Sequence, residues 1–98
     1  MSLLKIEKPS SAELKKLKIP KSPRSVGPWS VWQCEPSTFD WLYPDTEIAF
    51  IYKGKVKIKT SKEDVEIGPG DLVTFPKGLT CRWEVVEEIC KVYRFERR

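Results

Sequence analysis

From Trp29 onward, apolar and polar residues alternate with the period of two that is typical of β-strands. The segment 55–59 shows it best, with three lysines on one face and Val56 and Ile58 on the other, as expected of a strand with one solvated side. The other strand-like segments are WSVWQCE, FDWLY, EIAFIY, VEI, DLVTF, CRWEVVE and ICKVYRF.

Turn residues separate these segments at Lys53-Gly54, Gly68-Pro69-Gly70, Pro76-Lys77-Gly78 and Glu87-Glu88. About eight short strands punctuated by glycine and proline are typical of a small all-β fold. The pattern therefore predicts an antiparallel β-barrel or jelly roll.

The region before the strands has a different pattern. Ser10 followed by Glu13 forms a capping box at the start of a short helix, Leu14 and Leu17 form its apolar stripe, and Pro20 is expected to stop it. The segment PKSPRSVGP then reads as a linker. We expect one domain overall, with a helix and linker over 1–28, the helix lying as a lid on the sheet, and the barrel over 29–98.

Length and charge limit the class of function. A chain of 98 residues has room for one hydrophobic core. The net charge of +4 is concentrated in residues 1–24, which carry seven basic and two acidic residues, whereas the rest carries eleven basic and twelve acidic. This distribution, without a recognisable motif, argues against nucleic acid as a partner.

The chain also lacks the signatures of membrane and secreted proteins. No apolar run approaches the roughly 18 residues of a membrane span, and the three cysteines have no paired spacing. We therefore expect no membrane partner and a cytoplasmic protein with reduced thiols, although import into an organelle stays open. The absence of histidine excludes Ser-His-Asp and Cys-His catalysis and every histidine-ligated metal site.

A tight corner at Pro76 and Gly78 sets the direction of the following side chains. Period two then places Cys81, Trp83 and Val85 on one face and Arg82, Glu84 and Val86 on the other. We expect the first set to line the barrel interior.

Two spaced motifs resemble those of the cupin superfamily. Gly70, Pro76, Gly78 and Cys81 match the second cupin motif except that Cys81 stands at the family's histidine, and Glu47 with Gly54 matches the end of the first motif. The segments IEKP and FDW, and a tryptophan two residues beyond Cys81, further resemble small cupins of the ureidoglycine aminohydrolase branch. The resemblance implies a double-stranded β-helix, in which Glu47 lies inside.

The same resemblance allows the metal site to be assessed. In metal-binding cupins a His-x-His pair, a glutamate and a later histidine hold one ion. The pair falls here on Asp40 and Leu42, or on Trp41 and Tyr43, so at most Asp40, Glu47 and Cys81 could coordinate. We expect no metal and no cofactor.

The role of Glu47 stays open at this stage. It either pairs with Lys91, Arg94, Tyr43 or a tryptophan N–H, or it receives a ligand or acts as a general acid/base. Cys81 is either an inert buried thiol or a nucleophile, and Trp41 and Trp83 either fill the core or face a ligand. The candidate ligand-binding residues are Trp41, Tyr43, Glu47, Cys81 and Trp83.

The leading hypothesis is a metal-free pocket for a small polar or heterocyclic metabolite. The alternatives are an isomerase, hydrolase or lyase that uses Glu47 and Cys81, a metal-dependent cupin with an unusual ligand set, and an interaction module. The chain is expected to be a monomer or a homodimer.

Overall fold

The computed structural model describes residues 3–96, which contain seven strands and one helix. All strand pairs are antiparallel. In chain order the elements are β1 (Lys5–Glu7), α1 (Ser11–Lys16), β2 (Ser30–Cys34), β3 (Ser37–Leu42), β4 (Thr46–Lys59), β5 (Asp64–Ile67), β6 (Leu72–Phe75) and β7 (Thr80–Glu96).

The two long strands, β4 and β7, run side by side and pass through both layers of the fold. The first half of β4 and the second half of β7 form one layer, in the order β1-β6-β4-β7-β2. The other halves pair with β5 and β3 to form the second layer. This arrangement confirms the predicted all-β jelly roll.

Inward-pointing side chains of both layers form one hydrophobic core. Ala49 and Ile51 come from the first half of β4, Val56 and Ile58 from its second half, and all four are fully buried. Burial of one such aliphatic side chain contributes roughly 1.5–3 kcal/mol. The predicted inward face of β7 is confirmed, because Cys81, Trp83 and Val85 are buried.

Gly54 lies where β4 bends between the layers. The sequence predicts a turn at Lys53-Gly54, but this prediction is wrong, since β4 continues through a bulge whose register shifts lie between Ile51 and Val56. Gly54 has a φ of 98°, and a Cβ there would lie 2.3 Å from the carbonyl oxygen of Glu88. Glycine is required here by close backbone approach as well as by conformation.

The predicted break at Glu87-Glu88 is also wrong. Strand β7 runs without interruption from Thr80 to Glu96. The two acidic residues are exposed and lie opposite the bulge of β4, so they mark the bend of the strand and not its end. The segments predicted as separate strands on either side of each of these two breaks are single bent strands.

The predicted helix is present and its capping box is confirmed. The Ser10 side chain accepts from the N–H of Glu13, and the Glu13 carboxylate accepts from the N–H of Ser10. The helix ends at Lys16, before Pro20, because Lys18 adopts a left-handed conformation with φ 61° and closes the last turn.

The N-terminal segment covers the outer face of the first layer. Leu14 packs against a second apolar cluster, which confirms the expectation that the helix lies on the sheet. An unpredicted strand, β1, also adds to this layer by pairing with β6. The cluster consists of Ile19, Trp29, Phe50, Leu72 and Val92.

The lysine row of β4 faces outward, as predicted. Each lysine has an acidic residue opposite it on at least one neighbouring strand, and Lys57 has one on both sides, Glu66 and Glu84. Lys55 likewise lies opposite Glu87. Opposite charges across neighbouring strands weaken the attraction of this face for a polyanion. No helix in the described part of the chain has the length and apolar character needed to cross a membrane.

Candidate functional site

A small cavity opens among β2, β3, β4 and β7. Its volume is about 190 Å³. Trp41 is 47% exposed and Phe95 is 36% exposed, which places them at the rim, whereas Glu47 and Lys91 are buried. The lining residues are Trp32, Phe39, Trp41, Tyr43, Glu47, Trp83, Lys91, Tyr93 and Phe95.

Glu47 and Lys91 form an ion pair inside the barrel. Lys91 Nζ donates to Glu47 Oε2 at 2.7 Å, and each side chain is only 6% exposed. The strand period explains the pairing: Glu47 lies opposite Phe95 and Lys91 opposite Ile51 on adjacent strands, and alternate residues share the inward face. Of the partners considered from sequence for Glu47, the structure therefore gives Lys91.

Arg94, the other basic candidate, belongs to a different region. Its guanidinium lies over the ring of Trp29 at 5.5 Å, within the apolar cluster on the outer face. Arg94 lies three residues beyond Lys91 in β7, and because successive side chains of a strand point to opposite faces, this odd separation places the two on opposite sides of the sheet.

Four aromatic rings surround the ammonium group of Lys91. The distances from Nζ to the ring centroids are 4.8 Å for Trp83, 5.0 Å for Trp32, 5.3 Å for Tyr93 and 6.0 Å for Phe75. Such rings attract a cation through their quadrupoles. Burial nevertheless lowers the pKa of Lys91 below its ordinary value, and the neighbouring Glu47 carboxylate acts against this shift.

Tyr43 and Trp83 are joined by a buried hydrogen bond. The indole Nε1–H of Trp83 donates to the Tyr43 hydroxyl at 3.1 Å. Burial raises the pKa of Tyr43 far above its usual range, with a smaller contribution from the charge of Glu47. Tyr43 therefore stays a neutral hydroxyl, and it stacks on Phe75 at 4.7 Å.

Cys81 is buried in the core but is not among the residues that line the cavity. Burial raises the pKa of its thiol to about 11, so it is protonated at neutral pH. These features fit the inert thiol considered from sequence and not a nucleophile. Of the five candidate ligand-binding residues, the cavity brings together Trp41, Tyr43, Glu47 and Trp83 and leaves out Cys81.

The three potential metal ligands do not form a site. Asp40 lies on the outer face, where its Oδ1 accepts from Arg82 Nε at 2.9 Å, and Glu47 is engaged by Lys91. Within residues 3–96 no three His, Cys, Asp or Glu side chains are arranged to hold an ion. The side chains at the cupin ligand positions therefore do not fit a metal.

Sequence reasoning named Lys91 only as a partner of Glu47, and it missed Trp32, Phe39, Tyr93 and Phe95. A usable signal was present, because period two in β7 places Lys91, Tyr93 and Phe95 on one face. The predicted break at Glu87-Glu88 hides this signal, because it places Trp83 and the segment 91–95 in separate strands.

Comparison with known proteins agrees with the fold. The family model described as the EutQ-like cupin domain matches residues 21–93. Among solved structures, a DUF861 family protein from Thermotoga maritima has 44% sequence identity and a TM-score of 0.85, over 95% of this chain and 99% of that chain. None of the curated proteins matches this chain.

More distant structures share the fold alone. The EutQ protein of Clostridium difficile has 24% identity and a TM-score of 0.63, covering 68% of this chain and 54% of that one. This chain thus spans about half the length of that protein. A protein of unknown function from Rhizobium leguminosarum has 21% identity and a TM-score of 0.64, over 96% of this chain and 99% of that one.

Proposed function

Since this chain belongs to the EutQ-like cupin domain family within the cupin superfamily, we propose that its barrel binds a small polar or heterocyclic ligand without a metal ion. The observation that carries the proposal is the buried Glu47–Lys91 pair in a cavity whose other lining residues are all aromatic. Ligand sites commonly combine apolar walls with a few placed polar groups.

The size of the cavity limits the ligand to about one ring. A dry cavity of roughly 150 Å³ in another protein holds benzene, and this cavity measures about 190 Å³. Trp41, Tyr43 and Trp83 supply flat apolar surface, and Glu47 with Lys91 supplies the polar anchor. Cys81 plays no direct part in this proposal.

We also propose that this chain is related to the ureidoglycine aminohydrolase branch of the cupins, without extending that branch's activity to it. The features that support it are the IEKP and FDW segments and Trp83 two residues beyond Cys81. The donor set does not fit a metal ion, so we derive no metal-dependent step from that branch.

A paired mutation on β3 tests the binding proposal. Trp41 lines the cavity and is 47% exposed, whereas its neighbour Leu42 is 59% exposed and does not line it. In a screen of single-ring polar metabolites by tryptophan fluorescence and thermal shift, Trp41→Ala is expected to weaken binding of any hit and Leu42→Ala to leave it unchanged. A screen without hits, or hits unaffected by Trp41→Ala, would contradict the proposal.

An enzyme that uses Glu47 as an acid/base is the second candidate. It is favoured by one observation, namely that the carboxylate lines the cavity with a proton donor, Lys91 Nζ, at 2.7 Å. If a bound ligand is turned over, Glu47→Gln should abolish the reaction and Cys81→Ser should preserve it. Turnover that survives Glu47→Gln would exclude this role.

A further inference from the structure

The polar groups of the cavity carry opposite charges in direct contact. Of the described residues that line it, only Glu47 and Lys91 have acidic or basic side chains, and the two form an ion pair whose charges cancel. A charged ligand would bring an additional, uncompensated charge into this buried site, which is unfavourable. We therefore expect the cavity to favour neutral molecules over charged ones.

The pair also presents a donor and an acceptor side by side. Nζ and Oε2 are 2.7 Å apart. An ammonium group has three N–H donors and a carboxylate accepts several hydrogen bonds, so each group can engage a ligand while keeping its partner. Both residues line the cavity, so a ligand there can reach both of them.

A ring amide has the complementary order of groups. Its carbonyl oxygen and its N–H lie next to each other on one edge, so the oxygen can accept from Lys91 while the N–H donates to Glu47. Its planar ring has two faces for the aromatic walls formed by Trp32, Trp83 and Tyr93. One molecule thus satisfies the polar pair and the walls together.

We propose that the ligands of this cavity are neutral, planar single rings that carry a carbonyl next to a ring N–H, the class of lactams and pyrimidine-type diones. The inference rests on the proposed function, because it requires that the cavity admits a small ligand. Beyond the proposed function, this inference specifies the chemical class of the ligand and predicts that charged ligands bind less tightly than neutral ones.

The test uses matched probes and the indole N–H signals of the full chain. 2-Pyridone has the amide edge, N-methyl-2-pyridone lacks the N–H, and benzoate and benzamidinium carry charge on a similar ring. In NMR titrations we expect 2-pyridone to shift the indole signals of Trp32 and Trp83, and to bind about tenfold or more tightly than the other three. The signal of Trp29, which lies outside the barrel, serves as the internal control.

A double variant tests whether the Glu47–Lys91 pair causes the preference for 2-pyridone. Glu47→Leu with Lys91→Met removes both charges and both hydrogen-bonding groups, and dispersed indole signals verify that it is folded. We expect it to lose the preference for 2-pyridone over N-methyl-2-pyridone, whereas Asp40→Asn with Arg82→Met, on the outer face, keeps it. An unchanged preference in the Glu47/Lys91 double variant would overturn the inference.

The outcomes separate this inference from the proposed function. If N-methyl-2-pyridone or a charged probe binds as tightly as 2-pyridone, the assigned class is wrong while the binding site stands. If none of the probes shifts the Trp83 signal, the class is also wrong, and the metabolite screen with Trp41→Ala decides whether the cavity binds any ligand.

Discussion

Among the ion pairs that link neighbouring strands of the barrel, one lies inside it and can be compared with one on its outer face. The inner pair, Lys91 with Glu47, has a length of 2.7 Å and side chains that are 6% exposed. The outer pair, Arg82 with Asp40, has a length of 2.9 Å, and its side chains are 58% and 68% exposed. The two pairs have similar geometry, so the difference between them reports the effect of solvent.

That difference appears in the direction of the pKa shifts. Outside, the hydrogen bond and charge of Arg82 lower the pKa of Asp40, and Asp40 raises the pKa of Arg82, so each partner favours the charged form of the other. Inside, burial lowers the pKa of Lys91 despite the adjacent Glu47 carboxylate. The two pairs have similar contact distances, so the difference between them comes from desolvation of the inner pair. Because the inner pair is shielded from water, its polar groups are available to a ligand that enters the cavity.

The largest expected effect comes from removing one partner of the inner pair. Lys91→Met leaves the Glu47 carboxylate buried without its cation and should lower the free energy of unfolding by about 3–5 kcal/mol. The matched change outside, Arg82→Met, should produce no measurable loss, because water solvates Asp40. Urea denaturation of both variants measures the contrast.

The control for this prediction neutralises both inner residues. Glu47→Gln with Lys91→Met should recover most of the stability that is lost in Lys91→Met alone, because no uncompensated charge stays buried. If Lys91→Met is no more destabilising than Arg82→Met, the inner pair is as well solvated as the outer one and the comparison fails.

A smaller effect is expected from pH. The pKa of Lys91 lies below 10.5 in the folded protein, so between the lowered pKa and about 10.5 the unfolded chain binds more protons than the folded one. The stability contribution of Lys91 should therefore rise with pH across that window. The measurement is the free energy of unfolding relative to the Glu47→Gln/Lys91→Met variant at several pH values below about 10, where tyrosine begins to titrate.

Subtracting the double variant removes the contributions of the other titrating groups, which both proteins share. A difference that stays constant or falls with rising pH would mean that burial does not disfavour the charged lysine, and it would remove the basis of the inside–outside contrast.

The three cysteines also differ in burial, and this difference should determine how fast each thiol reacts. Cys81 and Cys90 are buried, and Cys34 is half-buried. Burial raises the pKa of the Cys81 thiol to about 11, so alkylation at pH 8 should modify Cys34 first and leave Cys81 unmodified while the protein is folded. Peptide mass mapping after brief iodoacetamide treatment gives the order. Early modification of Cys81 would show that this wall of the barrel opens to solvent.

The smallest expected effect is at Asp40. Asp40→Asn removes the outer ion pair without touching the cavity, so ligand binding should be unchanged and any loss of stability should vanish in high salt. Thermal denaturation with and without added salt measures this. A loss that persists in salt would indicate that Asp40 has a structural role beyond its pairing with Arg82.

Most of the fold could be predicted from the sequence because most of the relevant signals are local. The alternation around Val56 and Ile58, the capping box at Ser10 and the turn residues near Pro76 each depend on a few neighbouring positions. The same local reasoning failed at Gly54 and at Glu87-Glu88. Glycine and paired charges occur at turns, but here they mark bulged, bent strands, and only the register between β4 and β7 distinguishes the two cases.

The candidate site was only partly predictable for the same reason. The inward direction of Trp83 is predicted by period two, whereas the choice of Lys91 over Arg94 as the partner of Glu47 requires that β7 continue unbroken from Trp83 to Lys91. Cys81 shares the inward face of β7 with Trp83 and yet does not line the cavity, which depends on how the core packs in three dimensions. Such packing is set by tertiary contacts that no local pattern encodes.

The central claim is that the aromatic-lined cavity holds a ligand against the buried pair, and a high-resolution crystal structure grown with saturating 2-pyridone tests it most directly. The account predicts density for one planar ring between the aromatic walls, with its oxygen within hydrogen-bond distance of Lys91 Nζ and its nitrogen within hydrogen-bond distance of a Glu47 oxygen. A cavity that holds only water, or is closed by its own side chains at saturating ligand, would contradict the account.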